Sequence, residues 1–158
     1  MTLIRPANVR DACFVAAGMR DQDWREIAAT GLVTSKTEAA VWLVTRSPEH
    51  AYIAYLKDEP VAVFGVCQVG APHYWSGWAF GTDRIKRAIP AITKFCLDTI
   101  KPDLLARGVR RVEVRSAVHH DISHRWLARM GAHFEGIALD VGRNGEAYAT
   151  YSWAKSRL

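Results

Sequence analysis

Three strand-like runs follow one another at His50–Leu56, Val61–Val69 and Tyr74–Phe80. A long helical pattern over residues 90–107 then separates the third run from a fourth, Val109–Val118. Short turns, Lys57-Asp58-Glu59-Pro60 and Gly70-Ala71-Pro72, join the first three, so these read as an antiparallel meander. The helix can carry the chain back across the sheet, and a strand–helix–strand crossover sets its two strands parallel. One parallel pair in an otherwise antiparallel set predicts a mixed sheet of the α/β (α+β) class.

The flanking segments extend the pattern. Leu3–Ala7 reads as a short strand, and Asn8 can cap a helix carrying Val9, Ala12, Cys13, Ala16 and Met19 at helical spacing. Trp24, Ile27 and Ala28 suggest a further helical stretch ending near Gly31. Ser35 with Glu38 forms a capping box for a helix that Pro48 ends. Pro90 fits the first turn of the long helix, where its missing N–H costs nothing, and Pro102 marks a kink or interruption. Asp121 or Ser123 would cap a short helix that Gly131 ends. Phe134–Val141 and Ala147–Trp153 read as two strands, with Asn144-Gly145 as the hairpin signal between them. The order is β-α-α-β-β-β-α-β-α-β-β.

At 158 residues, with 49% hydrophobic and 23% charged residues, the chain has one domain's worth of sequence and apolar surface enough for a core. No linker or repeat divides it, so residues 1–158 are expected to form a single domain. The N-terminus lacks the extended apolar core of a signal peptide, and no apolar run is long enough to cross a bilayer. Cys13, Cys67 and Cys96 are odd in number, widely spaced and set in apolar stretches, which reads as reduced buried thiols. A cytoplasmic site of action is the expectation. The net charge of +5 is compatible with nucleic acid, with a phosphorylated small molecule, or with ordinary solvation. No helix-turn-helix, RNA-recognition or zinc-finger signature accompanies it, so nucleic-acid binding would rest on charge alone.

The second half carries a resemblance. Arg111-Val112-Glu113-Val114-Arg115-Ser116, followed by the stretch Ser123–Gly136 with Met130-Gly131-Ala132-His133-Phe134-Glu135-Gly136, resembles the fifth strand, fourth helix and entry to the sixth strand of GNAT N-acetyltransferases. The element order is similar to that fold from end to end. Within the superfamily the tail resembles phage-encoded GNAT-like proteins related to podovirus internal virion proteins. That narrower resemblance would place the protein in a host cytoplasm or a virion, with a host or virion protein as partner.

The resemblance implies acetyl-CoA as cosubstrate and an amine of a protein or small molecule as acceptor. It implies pantetheine along the backbone of Trp78, Ala79 and Phe80, with the pyrophosphate over Thr82, Arg84, Ile85, Lys86, Arg87 and Ala88. Ser123, His124 and Leu127 would complete the cosubstrate site, and the family often forms homodimers. A helix N-terminus favours anions through its unpaired N–H groups and dipole, whatever the family. Two departures stand out. The family's Arg/Gln-x-x-Gly-x-Gly/Ala loop is matched here by Arg84-Ile85-Lys86-Arg87-Ala88-Ile89, with Arg87 and Ile89 at the glycine positions. The family's usual Tyr, which protonates the leaving thiolate, is matched by Leu127, and the Asn that often begins its helix by His120.

His119, His120, Asp121 and His124 cluster at the start of that helix. Histidine titrates near neutrality, so His119 or His120 could take the proton of an amine, with His73 a weaker candidate. The same histidines could equally cap the helix or face solvent. His120 and His124 have metal-ligand spacing, but no third ligand supports a metal. Tyr74, Trp78 and Phe80 fall on one strand face and Trp75 on the other, either lining an acceptor pocket or packing the core. Arg107, Arg110, Arg111 and Arg115 form a basic group, solvated or facing the 3′-phosphate of CoA. The reading is an acetyl-CoA-dependent N-acetyltransferase. The alternatives are an inactive GNAT-fold structural or host-interaction protein of a phage, and a CoA-binding regulator without turnover.

Overall fold

The computed structural model describes Met1–Leu158. Seven strands form one mixed sheet in the order β1-β2-β3-β4-β5-β7-β6. They are β1 (Thr2–Pro6), β2 (Ala51–Leu56), β3 (Glu59–Val69), β4 (Ala71–Gly81), β5 (Arg111–Ala117), β6 (His133–Ala138) and β7 (Tyr148–Ala154). The helices are α1 (Val9–Ala17), α2 (Asp21–Ala29), α3 (Lys36–Arg46), α4 (Ile85–Phe95), α5 (Lys101–Ala106) and α6 (Asp121–Arg129). A π turn, Cys96–Ile100, joins α4 to α5. The meander β2-β3-β4 and the crossover to a parallel β5 are present as the sequence predicts.

Side-chain caps fix the starts of α1 and α3. Asn8 Oδ1 accepts from the Asp11 N–H at 2.8 Å, and Ser35 Oγ accepts from the Glu38 N–H at 3.1 Å. Gly81 lets α4 follow β4 closely. A Cβ there would lie 2.7 Å from Ile85 Cδ1 and 2.9 Å from the Val61 carbonyl oxygen.

Four expectations need correction. Three helices, not two, separate β1 from β2, because the Trp24–Ile27 stretch forms a helix of its own. The long helix starts at Ile85, so Pro90 lies inside it and leaves the Lys86 carbonyl without its helical partner. Pro102 likewise has no N–H to give, and the ladder slips into the π turn immediately before it. Neither Asp121 nor Ser123 caps α6; His120 holds that position, without a side-chain cap. The final hairpin is not closed by a tight Asn-Gly turn. β6 stops at Ala138, and residues 139–147 form a loop folded around Glu146, whose carboxylate accepts from the Asn144 N–H at 3.0 Å. The Arg143 N–H ties that loop to the Ala29 carbonyl of α2 at 2.7 Å.

The sheet separates two layers. On one face α1 and α3 bury Val15, Ala16 and Ala40 against Ile53, Val63 and Phe80. On the other, the α4–α5 helix buries Ile85, Ile92, Ile100 and Leu104 against Ala54, Phe64 and Val66. α6 lies on that second face too, with Leu127 and Met130 against Val114, Tyr151 and Trp153. The three thiols are free; Cys67 is buried and the other two are half-buried. No helix is long and apolar enough to cross a membrane.

Candidate active site

The parallel pairing of β4 with β5 is short: Tyr74↔Arg111, Trp75↔Val112 and Ser76↔Glu113. Beyond it, residues 77–81 and 114–117 have no partner across the join, so the sheet splays open. In an antiparallel ladder the N–H and C=O of one residue point to the same side and alternate along the strand. The Gly81 N–H donates to Asp23 Oδ2 at 3.0 Å and its carbonyl accepts from the Arg20 N–H at 2.9 Å, both on the side away from β3. By alternation Ala79 presents its N–H and C=O to the same gap. Its methyl is exposed. Gly77 keeps the gap open, since a Cβ there would come within 2.9 Å of Val114 Cγ2.

A cavity of about 1150 Å³ passes through this splay. On the α2–α3 side Glu26, Trp42, Leu43 and Arg46 line it; on the α4–α6 side Lys86, Ile89, Thr93 and Trp126 do so. A sheet opened in this way gives two compartments that meet at one point, and two molecules can approach that point from opposite faces.

At the meeting point stands a cluster built on Glu26 of α2. Its Oε1 accepts from the Ala117 N–H at 2.7 Å and from Ser116 Oγ at 3.1 Å, and lies 3.0 Å from His120 Nδ1. Tyr148 Oη donates to the Glu26 backbone carbonyl at 2.8 Å. Glu26, Ser116, His120 and Tyr148 all line the cavity. Burial pushes the Tyr148 phenol up to about 12, helped by the charges of Glu26 and Glu146, so it stays a donor. His120 is only 5% exposed, and its Nε2 has no partner in the protein. With Glu26 ionised, Nδ1 carries the proton and Nε2 offers a lone pair, the arrangement of a carboxylate-oriented base.

The residues singled out from the sequence divide into three groups. Trp78, Ala79, Ile85, Lys86, Ser123, Leu127 and His120 line the cavity. Trp78 is anchored through Nε1 to Ser47 Oγ at 2.9 Å and stacks on Phe80. Leu127 is core, 4% exposed. Phe80, Thr82, Ala88 and His124 are occupied structurally. Phe80 and Ala88 are fully buried, Thr82 Oγ1 closes the β4–α4 turn by accepting from the Arg84 N–H at 3.3 Å, and His124 Nε2 binds the Ala117 carbonyl at 3.0 Å. Arg84, Arg87 and His119 are exposed. Arg84 pairs with Glu59, and Arg84 and Arg87 face a small cleft beside Met1, Leu56 and Lys57. Lys86 is therefore the basic side chain of this turn that faces the cavity, and its N–H makes no hydrogen bond within the protein.

The basic group read along β5 is largely neutralised. Arg107 pairs with Glu49 and Asp103, Arg111 with Glu113 and Glu135, and Arg115 with Glu113. Tyr74 belongs to this network, its Oη donating to Glu113 Oε2 at 2.7 Å. Glu26, Ser116 and Tyr148 were not legible beforehand. A lone glutamate on a short amphipathic helix carries no local mark, and its partners lie 90 or more residues away.

No family model matches the sequence, and no curated protein matches it. Solved structures do. Ard1 from Thermoplasma volcanium superposes with a TM-score of 0.72 at 14% identity, over 97% of both chains. An N-acetyltransferase from Staphylococcus aureus Mu50 gives 0.73 at 14% identity, over 98% of this chain and 99% of its own. An aminoglycoside 6'-acetyltransferase type Ii gives 0.69 at 15% identity, over 97% of both. The chain has the fold of the GNAT acetyltransferases. The narrower likeness to phage proteins gains no support from these neighbours.

Proposed function

We propose that the protein is an acyl-CoA-dependent N-acyltransferase, with acetyl-CoA as the simplest donor and an amine as acceptor. The observation that carries this reading is the pair of half-buried Glu26 and buried His120, set at the join of two compartments. A scaffold with no chemistry has no need of an oriented imidazole with a free nitrogen at that point, which counts against the inactive and regulatory alternatives.

The site fits the cosubstrate's arm better than its phosphates. The free edge at Ala79 offers an extended amide chain the pairing of one more strand, and Gly77 leaves room beside Val114. The pyrophosphate would meet the N-terminus of α4, where Lys86 supplies an amide N–H and a charge. Arg84 is tied to Glu59, and the turn Thr82–Arg84 has no glycine. Phosphate contacts are thus fewer than the fold usually provides.

His120 Nε2 takes the acceptor's proton, directly or through one water, and Glu26 stabilises the imidazolium that results. The amine nitrogen attacks the thioester carbonyl carbon. The C–S bond breaks, and CoA departs as a thiolate whose ordinary pKa near ~8.5 makes an acid from the protein unnecessary. Leu127 can therefore stand where a tyrosine is usual. The test is calorimetric titration with acetyl-CoA, followed by thiol-release assays over a panel of amines. Micromolar binding and amine-dependent release are expected; no heat at millimolar acetyl-CoA would end the proposal.

A further inference from the structure

The cavity does not stop at the splay. It continues on the α4–α6 side, down the crevice between the α4–α5 helix and α6, past Val112 to Val109 at the opposite end of β5. Its walls there are Leu97, Ile100, Leu104, Trp126 and Trp153. Cys96 also faces it, and burial pushes that thiol up to about 12, so it adds no charge. The π turn Cys96–Ile100 forms one wall, where the slipped register changes which side chains face the groove. Along residues 74–76 the edge of β4 is taken by β5, so a chain running along residues 81 to 77 leaves the sheet plane there and enters this stretch on the α4–α6 face. From Gly77 to the level of His73, which binds the Arg110 N–H, is about 13 Å of strand. An acetyl group would leave all of it unfilled.

We infer that the donor's acyl group is a medium-length hydrocarbon chain, and that the crevice between the α4–α5 helix and α6 is its binding site. This rests on acyl-CoA binding at the splay. The apolar walls and their continuity with the splay together specify an apolar occupant joined to the thioester. Each methylene moved from water into such a groove tightens binding.

The experiment compares CoA, acetyl-CoA and octanoyl-CoA by calorimetry, on the wild type and on Leu97→Trp. Leu97 is half-buried and lines the crevice, so a larger side chain there narrows the groove without touching Glu26, His120 or Lys86. Leu105→Trp, at a 37% exposed wall position, is the second variant in case the first does not fold. Octanoyl-CoA should bind at least tenfold more tightly than acetyl-CoA. Either variant should erase that preference while acetyl-CoA affinity stays within about twofold. Equal affinity for the two thioesters in the wild type would overturn the inference and leave the acyltransferase reading standing. Failure of all three ligands to bind would end both. A preference that survives both tryptophans would place the acyl chain elsewhere and overturn the assignment to this crevice.

Discussion

A carboxylate 3.0 Å from one ring nitrogen of a buried histidine fixes the tautomer and holds the ring still. Glu26 does this for His120 while itself held by the Ala117 N–H and Ser116 Oγ, so the geometry is set from both sides. If His120 is the base, His120→Asn should lower kcat by about 10²–10³-fold. Glu26→Gln keeps the shape and removes the charge, so it should lower kcat less while leaving acyl-CoA affinity unchanged. Steady-state kinetics with calorimetry on the same variants checks both. Loss of binding in parallel with kcat would mean that the pair is structural. At the N-terminus of α4 the two basic side chains are not equivalent. Lys86 faces the cavity, whereas Arg84 is engaged by Glu59. Lys86→Ala should weaken CoA binding about tenfold, the loss of one charge-assisted contact. Arg84→Ala should change it by less than about twofold, because the guanidinium it removes is already paired.

At the scale of elements, β5, β6 and the C-terminal segment are joined by ions. Arg111 reaches both Glu113 and Glu135, and Arg157 also reaches Glu135. The Arg111 hydrogen bond is the main cause that pulls the Glu135 carboxyl down to about 2, against the opposing effect of desolvation. Its pKa is depressed on folding, so the stability it lends is present above the ordinary 4.5 and is lost as pH falls toward about 2. Glu135→Gln should therefore lower stability at neutral pH and flatten the dependence over that acid window, read as denaturant midpoints at stepped pH. The meander and the crossover were legible in the sequence because turn residues bound each run locally and the 90–107 pattern is long. Cap chemistry was legible at Asn8 and Ser35 for the same reason. The start of α4 was not, since Pro90 is a stronger local signal than the packing of Ile85 and Ala88 that overrides it. The tie from Arg111 to Glu135 was also hidden, since it depends on β5 and β6 lying on either side of β7, whereas Glu113 stands two residues from both Arg111 and Arg115 on one strand.

For the whole molecule, the opened sheet bears on the order of chemical events in the proposed reaction. Donor and acceptor would reach the splay from opposite faces, so both could be bound at once. A covalent relay would need a nucleophile at the join. Cys96 lines the cavity, but burial pushes its thiol up to about 12, which leaves almost no thiolate at neutral pH. Ser116 Oγ donates to the weakly basic Glu26 carboxylate and not to the His120 imidazole, an arrangement that does not ionise a serine hydroxyl. Direct transfer within a ternary complex is the route proposed, and there the barrier would be lowered by holding amine and thioester together. Initial rates at varied donor and fixed acceptor should give intersecting double-reciprocal lines. Cys96→Ala should keep most of the activity, and no acyl group should remain on the protein after donor alone is added and removed. Parallel lines with a stable acyl-protein adduct by mass spectrometry would instead require a nucleophile that this geometry does not supply.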